Sequence, residues 1–101
     1  MGLEDLLSLL ANNKKTRELL KSLILTLRGR EMTKEELLEE LDISEKQFKN
    51  LVKRLKKVGL LAGRREKDRY IYYLSYEGFA MWLKRLRDTV YNLIRRGSEY
   101  P

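Results

Sequence analysis

The sequence predicts a mainly α-helical domain with one small β-hairpin set between its last two helices. Three observations carry this expectation. Apolar residues recur at three- and four-residue steps over most of the chain, as an amphipathic helix requires. Two complete helix-start signatures, at Thr33 and Ser44, bracket a helix only about two turns long. A tyrosine-rich run at residues 70–73 then breaks the helical period with side chains suited to a strand. With 101 residues, 43% of them apolar and 37% charged, the chain is long enough for one modest core and too apolar to stay disordered. One domain over residues 1–101 is expected, its core near 14–75, its hairpin near 60–74, and flanking helices at 1–12 and 76–96.

The elements follow in order. Leu3, Leu6, Leu7 and Leu10 form one face of a short first helix, and Asn12-Asn13 interrupts it and caps the next. Leu19, Leu20, Leu23, Ile24 and Leu27 carry the second helix to a stop at Gly29. Thr33 with Glu36 forms a capping box, with Met32 stapled onto Leu37. Ser44 with Gln47 forms another, with Ile43 and Phe48 as its staple. Only Leu41, Asp42 and Ile43 lie between these two helices, the pattern of a helix-turn-helix. Gly59 ends the second of them, and "LLAGRREKDRYIYYLS" gives two strands around a charged tip at Glu66-Lys67-Asp68. Ser75 caps a last long helix in which Phe79, Leu83, Leu86, Val90 and Leu93 recur in alternating steps of four and three.

Cysteine and histidine are both absent. That excludes thiolate or imidazole metal sites, disulfides, and Cys or Ser–His nucleophilic catalysis, and no cofactor is expected. Glu35, Glu36, Glu39 and Glu40 lack the convergent donors that acid–base chemistry needs, so the chain is not expected to be an enzyme. No apolar run approaches the roughly 20 residues that span a bilayer. The first residues place Glu4 and Asp5 where a secretory signal carries positive charge, so a cytoplasmic, nucleoid-associated protein is expected. Abundant charge, a single Gln and no Cys match a thermophile's composition.

The net charge of +7 is unevenly distributed. Residues 14–30 sum to +5, 31–45 to −6 and 46–69 to +8. A strongly basic block beside an acidic one makes an oriented field and points to an anionic partner.

Three segments, "KKTRELLKSLI", "EMTKEELLEELDISEKQFKNLVKRLKKVGLL" and "GRREKDRYIYYLSYEGFAMWL", resemble the winged helix-turn-helix family over roughly residues 14–86. Within that family the chain looks like the small ArsR/MarR-like prokaryotic transcriptional regulators. The resemblance implies a three-helix core with a β-hairpin wing, flanked by N- and C-terminal helices. It also implies double-stranded DNA as the partner. Metal-sensing members use Cys or His ligands, which this chain lacks.

On the helix that starts after Ser44, Phe48, Leu51, Val52, Leu55 and Val58 share one side, at roughly 100° per residue. Lys46, Lys49, Asn50, Lys53 and Lys57 fall opposite, without an acid among them. Ordinary solvated faces mix signs to make i,i+4 pairs. Lys46, Lys49 and Asn50 are the candidates for base edges, Lys53 and Lys57 for phosphates. Gln47 is a candidate reader too, but its place in the capping box assigns it first to the helix start. Thr33 and Lys34 can donate to a phosphate from the preceding helix start. In the wing, Arg64, Arg65, Lys67 and Arg69 surround the tip, with Arg65 and Lys67 foremost as phosphate clamps. The tyrosines at 70, 72 and 73 are expected to pack rather than stack on bases. Lys14, Lys15 and Arg17 can equally flank DNA or simply begin an exposed helix.

Leu3, Leu6, Leu7 and Leu10, with Phe79, Leu83, Leu86, Val90 and Leu93, exceed what one small core absorbs, and a homodimer interface is expected there. The expectation is a sequence-specific DNA-binding repressor. Its rivals are an architectural protein coating DNA without sequence preference, and a protein-interaction module that uses the acidic helix 34–41 against a basic partner.

Overall fold

A computed structural model describes residues 2–99, with side chains placed through residue 95. Among these residues the chain runs α1 (Leu3–Leu10), α2 (Lys14–Leu27), β1 (Met32–Thr33), α3 (Lys34–Leu41), α4 (Glu45–Lys57), β2 (Leu61–Glu66), β3 (Arg69–Leu74) and α5 (Tyr76–Glu99). The fold is mainly helical with a small antiparallel sheet.

The caps set the helix starts. Thr33 Oγ1 accepts from the Glu36 N–H at 3.2 Å, and Glu36 Oε1 accepts in return from the Thr33 N–H at 2.9 Å. Ser44 and Gln47 repeat the exchange at 3.1 and 3.0 Å. Asn13 Oδ1 receives the Thr16 N–H and Ser75 Oγ the Gly78 N–H. Each satisfies a donor that the first helical turn leaves without an intrahelical acceptor. Between α3 and α4 the chain turns at Asp42, which adopts the left-handed conformation (φ +52°) and closes α3 through its N–H to Leu38 O. Asp tolerates that region better than most residues, which makes so short a turn affordable.

One apolar cluster holds the helices together. Leu20, Leu23 and Leu27 of α2, Leu37 of α3, and Phe48, Leu51 and Leu55 of α4 are its buried centre. Leu7 and Leu10 belong to it as well, at 1% and 9% exposure, and this corrects their expected place in a dimer interface. So small a domain has little apolar mass to spare, and α1 turns its inner face down to close the core. Leu3, Leu6 and Phe79 pack partly buried against that core. Leu9, outside the expected face, is 76% exposed.

The sheet has three strands rather than the hairpin alone, in the order β1-β3-β2. The extended backbone that leads into the Thr33 cap also pairs with β3, Met32 opposite Tyr72 and Thr33 opposite Ile71. Two residues are too few to show a strand period in the sequence, yet they cover one edge of β3 and tie the hairpin to the base of α3. At the exit of α4, Gly59 takes φ +77° and its backbone lies against that of Gly78 in α5. A Cβ on either glycine would collide with the other's carbonyl oxygen.

From Leu83 through Arg95 every residue of α5 is exposed. A helix of 24 residues is about 36 Å long. The radius of gyration is 16.3 Å, against about 13 Å for a compact chain of this length. The excess and the 57 Å long axis fit a helix that projects from the domain.

Candidate nucleic-acid interface

Helix α4 divides as its sequence period requires. Phe48, Leu51, Leu55 and Val58 are buried, and Lys46, Lys49, Asn50, Lys53 and Lys57 are exposed. None of those five makes an ion pair or side-chain hydrogen bond with another described residue. The α4 surface is thus a set of uncompensated donors. Gln47 is half-buried with its Oε1 accepting from the Ser44 N–H, so it serves the helix start. Thr33 is likewise committed to its capping box, and Lys34 lies 3.8 Å from Glu45 in a loose ion pair.

The acidic residues before α4 are partly spent inside the chain. Glu36 caps, and the Thr33 N–H holds its carboxyl below the usual carboxylate range, with help from the Thr33 hydroxyl. Glu40 lies 3.3 Å from Arg30. Glu35 and Glu39 remain exposed.

The hairpin β2–β3 turns through Lys67 and Asp68, with Lys67 left-handed at φ +58°. Strand alternation then sorts the wing's cations. Arg64 stands opposite Ile71 and Arg65 opposite Tyr70, so the two arginines face opposite sides of the sheet. On its side Arg64 is gripped by Glu31, which accepts two bonds at 2.8 and 2.6 Å, and by Glu66 at 3.0 Å. Its guanidinium also sits over Tyr73. These bonds lower the Glu31 pKa and raise that of Arg64. Arg64 is therefore tied within the protein and fastens the wing to the segment before β1, where the sequence placed it among the phosphate contacts. Arg69 lies 3.9 Å from Glu66, a weak pairing. Arg65 and Lys67 are exposed and make no ion pair with any described residue.

On the other side of the sheet, Tyr70 and Tyr72 meet edge to face, and Tyr72 packs the same way on Phe48. Burial raises the Tyr72 pKa, as expected of a packed phenol. Tyr70 lies across Gly63, where any side chain would strike its ring. Lys56 of α4 reaches over both rings, 5.4 Å from Tyr70 and 5.5 Å from Tyr72. Sequence reading missed this link between wing and α4. The signal was there, since Lys56 falls about 100° from Leu55 on the flank of the helix, but its target appears only once β3 is docked.

On the opposite flank of α4, Arg54 also escaped the sequence reading. Its guanidinium donates to Leu10 O at the end of α1, at 3.0 Å. Arg17 donates to Ala11 O and Asn12 O, so it completes the same helix end.

With α2, α3 and α4 packed on a three-stranded sheet whose hairpin flanks α4, the order of elements is decisive. The architecture is a winged helix-turn-helix. Solved structures share it: ZitR of Lactococcus lactis is 14% identical, with a TM-score of 0.57 over 87% of this chain and 71% of that one. A transcriptional regulator, HlyU of Vibrio vulnificus, is 26% identical with a TM-score of 0.54, over 87% of this winged-helix chain and 88% of its own. The adhesin competence repressor AdcR of Streptococcus pyogenes is 19% identical with a TM-score of 0.57, over 98% and 78%. No family model and no curated protein matches the sequence.

Proposed function

We propose that this winged-helix protein is a dimeric transcriptional regulator that binds double-stranded DNA sequence-specifically and represses by excluding polymerase. The observation that carries the reading is the α4 surface, where Lys46, Lys49, Asn50, Lys53 and Lys57 stand exposed and unneutralised. Like charges so placed repel one another, and a polyanion relieves the repulsion. In this reading α4 enters the major groove. Asn50 pairs with adenine and Lys46 and Lys49 donate to guanine, while Lys53, Lys57, Arg65 and Lys67 take phosphates. The presence of solved regulators among its structural neighbours agrees with this role.

The dimer is supported by α5. Leu83, Leu86, Val90, Leu93 and Ile94 are between 43% and 68% exposed along one helix. Near the root of α5 a groove of about 390 Å³ runs between α1 and α4, lined by Leu6, Leu9, Phe79 and Trp82 but also by Asn50, Lys53 and Lys57, so it belongs to the DNA-facing side and not to the stripe. A second copy of the chain covers the α5 stripe, and the two α4 helices of the dimer address half-sites about 34 Å apart.

Selection of bound duplexes from random DNA, followed by titration at several salt concentrations, tests the reading. A recovered motif, whose preference flattens in a Lys49→Ala, Asn50→Ala variant, is the expected result. Equal affinity for all duplexes with a steep salt slope would establish the architectural alternative. That alternative draws on one observation: the cations of the α4 surface are all lysines, point charges less suited than arginine to reading base edges.

A further inference from the structure

Each side of the wing is held by one cation. On the side of Arg64, the Glu31 carboxylate grips that guanidinium and ties the hairpin to the segment before β1. On the other side the hold is aromatic. Tyr72 packs edge to face on Phe48 of α4, Tyr70 meets Tyr72 in the same way two residues nearer the tip, and the Lys56 ammonium lies over both rings. Strand pairing puts Arg65 on this side as well, directly opposite Tyr70.

Stability is a poor reason for Lys56 and Tyr70. Both are exposed, and a cation over an exposed ring adds little, while Phe48 and Tyr72 already dock the sheet on α4. Yet Gly63 makes room for them. Its backbone is ordinary strand without a positive φ, so conformation does not call for glycine there. What calls for it is the Tyr70 ring: a Cβ at Gly63 would overlap Cε2 and the hydroxyl at the ring's far end. A glycine inside a strand marks such a close approach. The missing side chain lets the Tyr70 ring lie beside Tyr72 and beneath Lys56. Tyr70 and Arg65 form the last pair but one before the tip, and a two-stranded hairpin is too weak to fix the direction of its own end.

We infer that Lys56 and Tyr70 are positioning residues that brace the wing against α4, so that Arg65 and Lys67 meet the DNA backbone while α4 lies in the groove. This rests on the DNA-binding reading above, but needs neither its sequence preference nor the dimer. Lys56 is thereby turned to the wing, and the five cations and amides of the α4 surface are left to the duplex.

The experiment measures affinity for one fixed duplex, and its salt slope, with and without the brace. Gly63→Ala changes no charge and no group assigned to DNA; it displaces the Tyr70 ring. Affinity should fall about tenfold and the salt slope by about one, although no cation has been removed. Lys56→Met should do the same, and Tyr70→Phe, which keeps the ring, should stay within about twofold of wild type. In an Arg65→Ala, Lys67→Ala background, Gly63→Ala should change nothing further, whereas a general loss of stability would act in both backgrounds. Amide exchange on the free protein adds a readout without DNA: residues 64–70 should exchange faster in Gly63→Ala, and residues 20–27 at the wild-type rate. A wild-type salt slope in Gly63→Ala, or an equal loss in the background lacking the wing cations, would overturn the brace. A further slope change of about one for Lys56→Met in that background would overturn it too, because Lys56 then meets a phosphate itself. If the wild type shows no salt-dependent affinity for any duplex, the DNA-binding reading falls and takes the brace with it. If Arg65 and Lys67 matter and Gly63→Ala does not, the brace alone falls.

Discussion

At the residue scale, one backbone angle in the wing makes its proposed phosphate contact testable. Lys67 opens a two-residue turn in the left-handed region, where glycine is at ease and a lysine pays about 1 kcal/mol. Lys67→Gly should therefore raise the unfolding free energy by up to about 1 kcal/mol and still weaken binding to every duplex, with a salt slope lower by about one. A stabilised variant with undiminished affinity would remove Lys67 from the clamp. Glu31 and Glu36 make a second prediction. Both carboxyls are held below their ordinary range, by Arg64 and by Thr33 respectively. A depressed folded pKa gives stability that is present above the unfolded value and lost as pH falls through the folded one. Thermal midpoints should then hold steady above about pH 5 and fall below about pH 4, and Glu31→Gln should make that fall shallower. Sequence alone put Arg64 and Arg65 together as wing cations. What separated them was strand parity plus the location of Glu31, a partner 33 positions away that only the docked sheet reveals.

At the element scale, the helix starts were legible because capping chemistry is local. Thr33, Ser44, Asn13 and Ser75 each sit within three residues of the donor they satisfy, so sequence spacing is also spatial spacing. Ser44→Ala should cost about 1 kcal/mol, and about 4–8 °C in thermal midpoint, while leaving the α4 surface chemically intact. Calorimetry at matched pH measures it. The links that sequence missed are those between elements: Lys56 over the tyrosines of β3, Arg54 on the last turn of α1, and β1 along the edge of β3. The Gly59–Gly78 contact is of the same kind. Each glycine reads as a helix stop or a weak helix residue by itself, and only their juxtaposition shows why neither accepts a side chain. Gly59→Ala meets both the left-handed backbone and the Gly78 carbonyl, so its cost should exceed the 1–2 kcal/mol, roughly, of the conformation alone. An unfolding titration showing less than that would mean that α5 shifts freely on the exit of α4.

At the scale of the whole molecule, the apolar residues divide between one chain and two. The sequence supplied more leucine faces than a small core needs, but could not say which were surplus. The structure sorts them by position: Leu7 and Leu10 close the core, while Leu83, Leu86, Val90 and Leu93 lie along the exposed part of α5. If that stripe is covered by a second copy, unfolding releases two chains, and the midpoint must depend on concentration. For two chains of this length, each tenfold rise in concentration should lift the midpoint by about 3 °C. Leu86→Asp with Val90→Asp places two charges in the middle of the stripe, where pairing would bury them without partners. The double variant should sediment at the single-chain mass of 12.1 kDa instead of about twice that, and its midpoint should no longer move with concentration. Because both positions are exposed in the single chain, its helical circular dichroism at low temperature should persist, apart from fraying of α5. Were the stripe instead to fold back within one chain, the same substitutions would lower the midpoint equally at every concentration and leave the mass unchanged. The two outcomes separate an intermolecular seam from an internal one, and with it the paired half-site geometry from a solitary winged helix.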